Sequence, residues 1–383
     1  MIYILYFALF YLIGTSAVLI RNLFELKALK DIPNKKASST PLVSICIPAR
    51  NEEEVIERCI TSVLKQNYTQ FEVLVLDDNS TDKTSEILSK IAGIVANLTH
   101  IKGASKPIDW LGKPWACHQL SEVSNGEILV FIDADVWLEP DAISNTVSAL
   151  EAKDAITVWP QQKMEGFWEN MIIPLVYFAL YTLLPAKYVE RPPRWMPKSL
   201  QRVFNSKFVA ACGQFFAFTS FAYRKIDGHH SVKNQVVEDI VLAKNIKSNE
   251  LSLQMLHGVD SVFCRMYTSH SEIWSGFKKN FLTGFGNLFA FIFMGVLHFL
   301  VFLVPIYSLL IGILKSDLFL ISLSVGVITL IFIQRFILSY LFKWNFGYVF
   351  LHPLSVLWFQ ILAIISVFNM LFGIKTSWKG REV

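Results

Sequence analysis

Phe131-Ile132-Asp133-Ala134-Asp135-Val136 closes an apolar run, Ile128-Leu129-Val130-Phe131-Ile132, with two carboxylates separated by one small residue. The run reads as a short buried strand. Side chains alternate along an extended backbone, so Asp133 and Asp135 are expected to point the same way. Two acids at the end of a buried strand are costly unless a cation or ligand compensates their charge. Hard divalent cations take oxygen ligands, and Mg²⁺ or Mn²⁺ bridges one or two carboxylates to substrate phosphates. A metal–diphosphate site is therefore one reading. A surface turn with two solvated acids is the other, and the stretch alone does not separate them.

The surrounding chain narrows the choice. Val43 to Ile47 is a second β-rich run, ended by Pro48-Ala49-Arg50-Asn51-Glu52. Val55, Ile56, Ile60, Val63 and Leu64 then recur at helical spacing. Phe71 to Leu76 is another strand, and it ends in Asp77-Asp78-Asn79-Ser80-Thr81-Asp82. Gly112-Lys113-Pro114-Trp115-Ala116 leads into a further helix. Strands alternating with helices imply a parallel sheet covered on both faces, with ligands outside the carboxyl ends of its strands. Polar loops recur at three such ends, which favours a ligand site over an isolated charged turn. Downstream, Glu238-Asp239 opens an apolar helical run. Acids in a first helical turn also complement the helix dipole, so this pair has a purely structural explanation as well.

Composition places these elements in a membrane-attached chain. Of 383 residues, 53% are hydrophobic and only 17% charged, and the apolar residues concentrate at the two ends. The expected domains are an N-terminal anchor at 1–20, a basic linker at 21–40, a cytoplasmic catalytic domain at 41–286, a membrane region at 287–373 and a basic tail at 374–383. The membrane region contains hydrophobic stretches at about 288–313, 318–341 and 347–373. Arg21, Lys27, Lys30, Lys35 and Lys36 follow the anchor, which by the positive-inside rule puts the next segment in the cytoplasm. Three C-terminal spans would leave Lys375, Lys379 and Arg381 outside, against the same rule. Met171–Leu184 is apolar but short, and reads as a buried or interfacial helix. Arg191–Lys198 carries Trp195 and three prolines and reads as a loop near the membrane surface. Ala210–Phe218 is small and aromatic, suited to close backbone approach. The five cysteines lack a C-x-x-C pair, which argues against a zinc site or disulfide framework. A net charge of +4 without a long basic tract gives no reason to expect nucleic acid.

Taken together, Ile47-Pro48-Ala49-Arg50-Asn51-Glu52, Asp77–Asp82, the D-x-D of Asp133-Ala134-Asp135 and Glu238-Asp239 resemble, in order and rough spacing, the GT-A glycosyltransferases of family 2. Trp110-Leu111-Gly112-Lys113, Phe131–Val136, Gly228-His229, Arg265-Met266-Tyr267 and the tail Trp378-Lys379-Gly380-Arg381 resemble the membrane glycosyltransferases that act on carotenoid acids. The resemblance implies an α/β GT-A core with a mostly parallel sheet, and transmembrane helices at both ends. It implies that Asp135 binds a divalent cation, with Asp133 on the metal or the ribose. Pro48, Ala49, Arg50, Asn51, Glu52, Asp77, Asp78, Gly112, Lys113, Asp133 and Ala134 would form the nucleotide-sugar site. Asp239 and then Glu238 would act as base or position the acceptor. The implied partners are UDP-glucose, a lipid acceptor such as the carotenoid acid 4,4'-diaponeurosporenoate, and other enzymes of the same lipid pathway. Hopanoid, polyprenyl-phosphate and glycerolipid acceptors are alternatives. A polysaccharide synthase is disfavoured, because Trp274–Asn280 lacks the Q-x-x-R-W-type motif of that class. A catalytically dead membrane scaffold is the non-enzymatic alternative.

Overall fold

The computed structural model describes residues 1–33 and 40–374, together with the two-residue strands Ser377–Trp378 and Arg381–Glu382. Lys35 and Lys36 of the expected linker, and Lys375, Lys379 and Gly380 of the expected tail, lie outside the described residues. The chain divides into two units, one of residues 25–163 and 186–266, the other of 1–24, 164–185 and 267–383.

The first unit is built on an eight-stranded sheet. Its strands are β1 (Val43–Ala49), β2 (Phe71–Asp77), β3 (Leu98–Lys102), β4 (Ile128–Ile132), β5 (Val136–Leu138), β6 (Ala155–Gln162), β7 (Phe215–Thr219) and β8 (Leu253–Cys264), in the order β3-β2-β1-β4-β7-β6-β8-β5. The β3-β2-β1-β4 half is parallel. Every residue of β4 is buried, as expected of a strand covered on both faces, where period-two alternation gives way to a continuous apolar run. Helices Ile56–Leu64 and Gly112–Glu122 supply crossovers in this half. Val43, Ile45 and Ile47 of β1 share one core with Ile56, Ile60 and Val63 of the first crossover. That helix keeps its apolar residues on one face, which is the spacing read from the sequence.

Ala210–Phe218 contributes the strand β7, which runs antiparallel between β4 and β6. The sheet is thus mixed, parallel through its β3-β2-β1-β4 half. The register places Ile132 opposite Phe215, which brings the residues just before β7 beside the end of β4. On the far side, a register shift between Pro160 and Gln161 sets Gln162 opposite Cys264, and Cys264 also faces Val136 of β5.

Among the described residues, the second unit contains four helices long and apolar enough to cross a membrane: Ile2–Glu25, Leu288–Lys315, Leu318–Phe342 and Phe346–Leu371. The stretch around Met171–Leu184 forms two short helices, Phe167–Ile172 and Pro174–Leu183. Both are joined to the long ones by buried polar groups. Asn22 Nδ2 donates to Tyr181 O at 2.9 Å and Leu184 O at 2.8 Å, and Ser355 Oγ donates to Met171 O at 2.7 Å. Gln334 Nε2 ties two long helices through Leu12 O, Thr15 Oγ1 and Ser16 Oγ. In an apolar solvent such bonds are made between helices because no water competes for them.

Candidate functional site

The loops beyond β1 and β2 are stitched together before any ligand arrives. Register sets Ala49 opposite Asp77, and Asp78 N–H donates to Ala49 O at 2.8 Å. Arg50 Nη1 donates to Asp78 O at 2.6 Å and to Asn79 O at 3.1 Å. Asn51 Oδ1 accepts from Thr81 N–H at 2.8 Å, and Glu52 N–H donates to Thr84 Oγ1 at 2.8 Å. Asp77 Oδ1 accepts from Ser80 N–H at 2.9 Å. Asn51 and Asn79 sit at φ 53° and 56°, a left-handed conformation that asparagine tolerates by local hydrogen bonding. Arg50 therefore braces one loop against the other, while Asp77 and Asp78 are each only 4% exposed.

The two central acids are presented differently from the expectation. The alternation argument puts both on one side of an extended strand. Instead β4 stops at Ile132, and Val136 N–H bonds back to Asp133 O at 3.1 Å, closing a turn through Ala134 and Asp135. Backbone turning, not strand pleat, aims the carboxylates, and they have separate surroundings. Asp133 Oδ1 meets Lys113 Nζ at 2.7 Å. Asp135 lies towards Cys264, Asp133 and Glu52. Its Oδ1 is shut off from solvent with no hydrogen-bond partner. Burial, then Asp133 and Glu52, push its carboxyl up to about 8.

Lys113 is the hub. It lies in the first turn of the helix that Gly112 begins. Besides Asp133, its Nζ reaches Glu238 Oε1 at 3.2 Å and donates to Gly213 O at 3.2 Å. Desolvation opposes the charge, but Asp133 and then Glu238 hold the ammonium well above the usual lysine range. Gly213 uses its other side too: its N–H donates to Asp239 Oδ2 at 2.9 Å. A Cβ on Gly213 would stand 3.0 Å from Lys113 Nζ and 3.4 Å from Asp239 Oδ2, so a larger residue here would press the lysine ammonium aside. Asp239 Oδ1 also accepts from Ile240 N–H at 2.8 Å. Burial, then Glu238, raise the Asp239 carboxyl to about 6.

Pro48, Lys113, Asp133, Gly213, Glu238 and Asp239 thus line a single cavity, with His229 in its wall. His229 Nδ1 lies 2.7 Å from the Tyr223 hydroxyl, and burial lowers its imidazole to about 3, which keeps it neutral. Gly213 and Cys264 were not singled out as site residues in the sequence. A bare peptide unit and a buried thiol carry no motif, and only the pairing of β7 and β8 brings them here. Trp110 and Trp115 pack edge to face at 5.0 Å, and Trp110 stacks on His118 at 4.9 Å, so these indoles bind each other.

The donor set suits a divalent cation. Asp135 offers a buried carboxylate oxygen that nothing satisfies, beside a second carboxylate. Among the described residues no group of three or more His, Cys, Asp or Glu could hold a metal. One or two carboxylates, with the rest of the sphere left to phosphates and water, suits Mg²⁺ or Mn²⁺ and not zinc.

Comparison with known proteins agrees with this geometry. Residues 44–227 match the family model for glycosyl transferase family 2. The chain is 26% identical over 284 residues to a 4,4'-diaponeurosporenoate glycosyltransferase of Staphylococcus haemolyticus, an alignment covering 72% of this chain and 70% of that relative. It is 24% identical over 277 residues to one of Staphylococcus aureus, covering 71% and 68%. A solved mannosyltransferase from Pyrobaculum calidifontis, in complex with GDP-Man and Mn²⁺, aligns over 97% of this chain and 99% of its own at TM-score 0.50 and 14% identity. That likeness is one of fold.

Proposed function

The chain belongs to the family 2 glycosyltransferases and has the GT-A fold, and from that premise we propose that it moves one sugar, glucose from UDP-glucose, onto the carboxylate of a membrane-held carotenoid acid such as 4,4'-diaponeurosporenoate, with inversion. The observation that carries this reading is the Lys113 hub. One ammonium joins the acid of the D-x-D turn to the Glu238-Asp239 pair, so donor-side and acceptor-side groups meet in one cavity. The names of the relatives support the acceptor class.

In this reaction an acceptor oxygen attacks the anomeric carbon. The bond from that carbon to the diphosphate breaks, and the nucleoside diphosphate leaves with the electron pair. The leaving group gains negative charge, and Lys113 lies where a fixed cation can meet it. Asp135, with Asp133, would hold a divalent cation. That ion, when bound, supplies Lewis-acid neutralisation of the diphosphate. Asp77, Asp78 and the braced Pro48–Glu52 loop would hold uracil and ribose, with Gly112 and Ala134 completing the donor cradle. A carboxylic acceptor is already ionised at neutral pH, since free carboxyls titrate near 4. No strong base is required, and Asp239 and Glu238 are left to position the acceptor and the Gly213 peptide. A scaffold function is disfavoured because Asp133, Glu238 and Asp239 line one charged cavity with Lys113.

The membrane unit would hold the acceptor. Lifting a long apolar chain into water costs about 0.8 kcal/mol per CH₂, so the acceptor presents only its polar end. Arg21, near the end of the first long helix, and Lys27 and Lys30 behind it support a cytoplasmic catalytic unit in a multi-pass protein of the cell membrane.

The test is expression in a host that makes carotenoid acids, with mass analysis of the lipid extract. A pigment heavier by one hexose is the expected result. An unchanged pigment beside a newly glycosylated hopanoid or glycerolipid would overturn the acceptor. No turnover and no nucleotide binding with any nucleotide-sugar would leave the scaffold.

A pH profile separates the two roles of Asp239. Its carboxyl is raised to about 6, so it is ionised above that pH and protonates below it. Once protonated, it is a poorer acceptor for Gly213 N–H. Transfer is expected to fall by about tenfold as pH drops through 6, about two pH units above where the acceptor itself titrates. Asp239→Asn should remove that limb and slow transfer at pH 7.5 about tenfold. A loss nearer 10⁴-fold would instead make Asp239 an obligatory base.

A further inference from the structure

Residues 188–208 form a strap pinned at both ends by one buried lysine. Lys247, 4% exposed on the helix Glu238–Ser248, donates to Tyr188 O at 2.7 Å and to Phe208 O at 3.0 Å. The Tyr188 and Phe208 rings meet edge to face at 5.4 Å, closing the loop beside the clip. Val189, Pro193 and Met196 turn inward, and Gln201 Nε2 holds the bend by donating to Met196 O at 2.6 Å. The strap is therefore a built element with a fixed inner side.

Its outer side has a different character. Trp195 is 74% exposed, and Arg191, Arg194, Lys198 and Leu200 are exposed around it. From Arg191 to Val209 the sequence holds five basic residues and no acid. Glu190, just before, is paired with Lys153. An indole left in water among cations with no acid in their own stretch of chain matches a bilayer interface, where the ring enters the headgroup layer and the cations meet lipid phosphates. An acidic protein surface would satisfy the cations but not the indole. The four long apolar helices of this chain keep a bilayer at hand.

The strap is also connected to the catalytic cavity. Its clip sits on the helix that Glu238 and Asp239 begin, and Gly213 follows Phe208 by five residues. A load on the strap reaches both partners of the Gly213–Asp239 bond.

We propose that residues 188–208 are an anionic-lipid contact that couples the bilayer surface to the Gly213 peptide. The contact does not depend on which sugar or acceptor the enzyme uses. All five native cysteines are buried, so an environment-sensitive maleimide dye on Ser199→Cys reports the exposed strap in the full-length protein. In nanodiscs containing phosphatidylglycerol its emission should shift to the blue relative to pure phosphatidylcholine. Raising salt to 1 M, where the Debye length is about 3 Å, should reverse the shift. Arg191→Gln with Arg194→Gln and Lys198→Gln should weaken the response by about fivefold per charge, with the melting temperature unchanged. Donor turnover should be several-fold higher in the anionic discs, and Trp195→Ala should remove that excess while leaving the rate in neutral discs intact. Identical dye spectra in the two lipids, or a full response in the triple variant, would overturn the lipid contact. The same shift produced in neutral discs by millimolar inorganic phosphate would make it a free-anion site and overturn the surface assignment. Equal turnover in the two lipids, with the dye response present, would overturn the coupling.

Discussion

Asp135→Ala should lower sugar transfer by at least about 10²–10³-fold while the protein still inserts and folds. The expectation comes from what surrounds the side chain. Oδ1 is closed off from water with no partner, and Asp133 and Glu52 add like charge. A buried carboxylate in that position costs the folded state energy unless a cation meets it. Removing the group therefore should not lower the melting temperature of metal-free protein, and Asp135→Asn, which keeps the shape, should melt at or above the parent. What is lost is the capacity to neutralise charge developing on the leaving diphosphate, an effect of several kcal/mol, or some 10²–10³-fold in rate. Two measurements check this. Transfer is assayed against added Mn²⁺, and melting is followed as Mn²⁺ and UDP are titrated together. The parent should be stabilised by that titration and Asp135→Ala should not. Activity surviving in the variant, or an unchanged metal-dependent rise in melting temperature, would move the metal site elsewhere.

Lys113→Met carries the second large effect, and it differs in kind because stability falls as well. Lys113 stands between Asp133 at 2.7 Å and Glu238 at 3.2 Å. Its side chain is about one-third exposed, so solvent screens part of the interaction. Leaving two partly buried acids without their cation should cost about 1–2 kcal/mol at pH 7, below the value for a fully buried pair. Its sign with pH follows from the raised lysine: Lys113 stays charged well above neutral pH, so the destabilisation is present in full through the neutral range and shrinks only as pH rises and the parent's ammonium deprotonates. Transfer should drop about 10²-fold, because the leaving diphosphate loses a fixed cation and Gly213 O loses its donor. Melting curves of parent and variant from neutral pH to about pH 11 should converge at the alkaline end. A constant gap across that range would mean that Lys113 acts through packing of its stem and not through charge. Full activity would remove the hub from the chemistry.

The parts of this molecule that were legible beforehand are those encoded in local pattern. A strand buried on both faces must be apolar throughout, so β1, β2 and β4 announced themselves, and the acids closing them marked the edge where a ligand site is expected. Four hydrocarbon-rich helices need no tertiary context either, since about 20 apolar residues suffice to span a bilayer. Other parts depended on pairing. β7 reads as part of a small and aromatic segment suited to close backbone approach, and its antiparallel insertion beside β4 is set by strand register, a long-range property that no local window contains. That register puts Gly213 between Lys113 and Asp239. The aim of Asp133 and Asp135 was a related case. Alternation along a strand predicted a shared direction, but the strand ends one residue earlier, and the turn through Ala134 sends the carboxylates to different partners. The sequence by itself determined that two acids end a buried strand in a chain built for a membrane. Only the tertiary structure decided that Lys113 lies between those acids and Glu238-Asp239, because a cation finds the cheapest place for its charge among groups that folding, not sequence neighbourhood, brings within 4 Å.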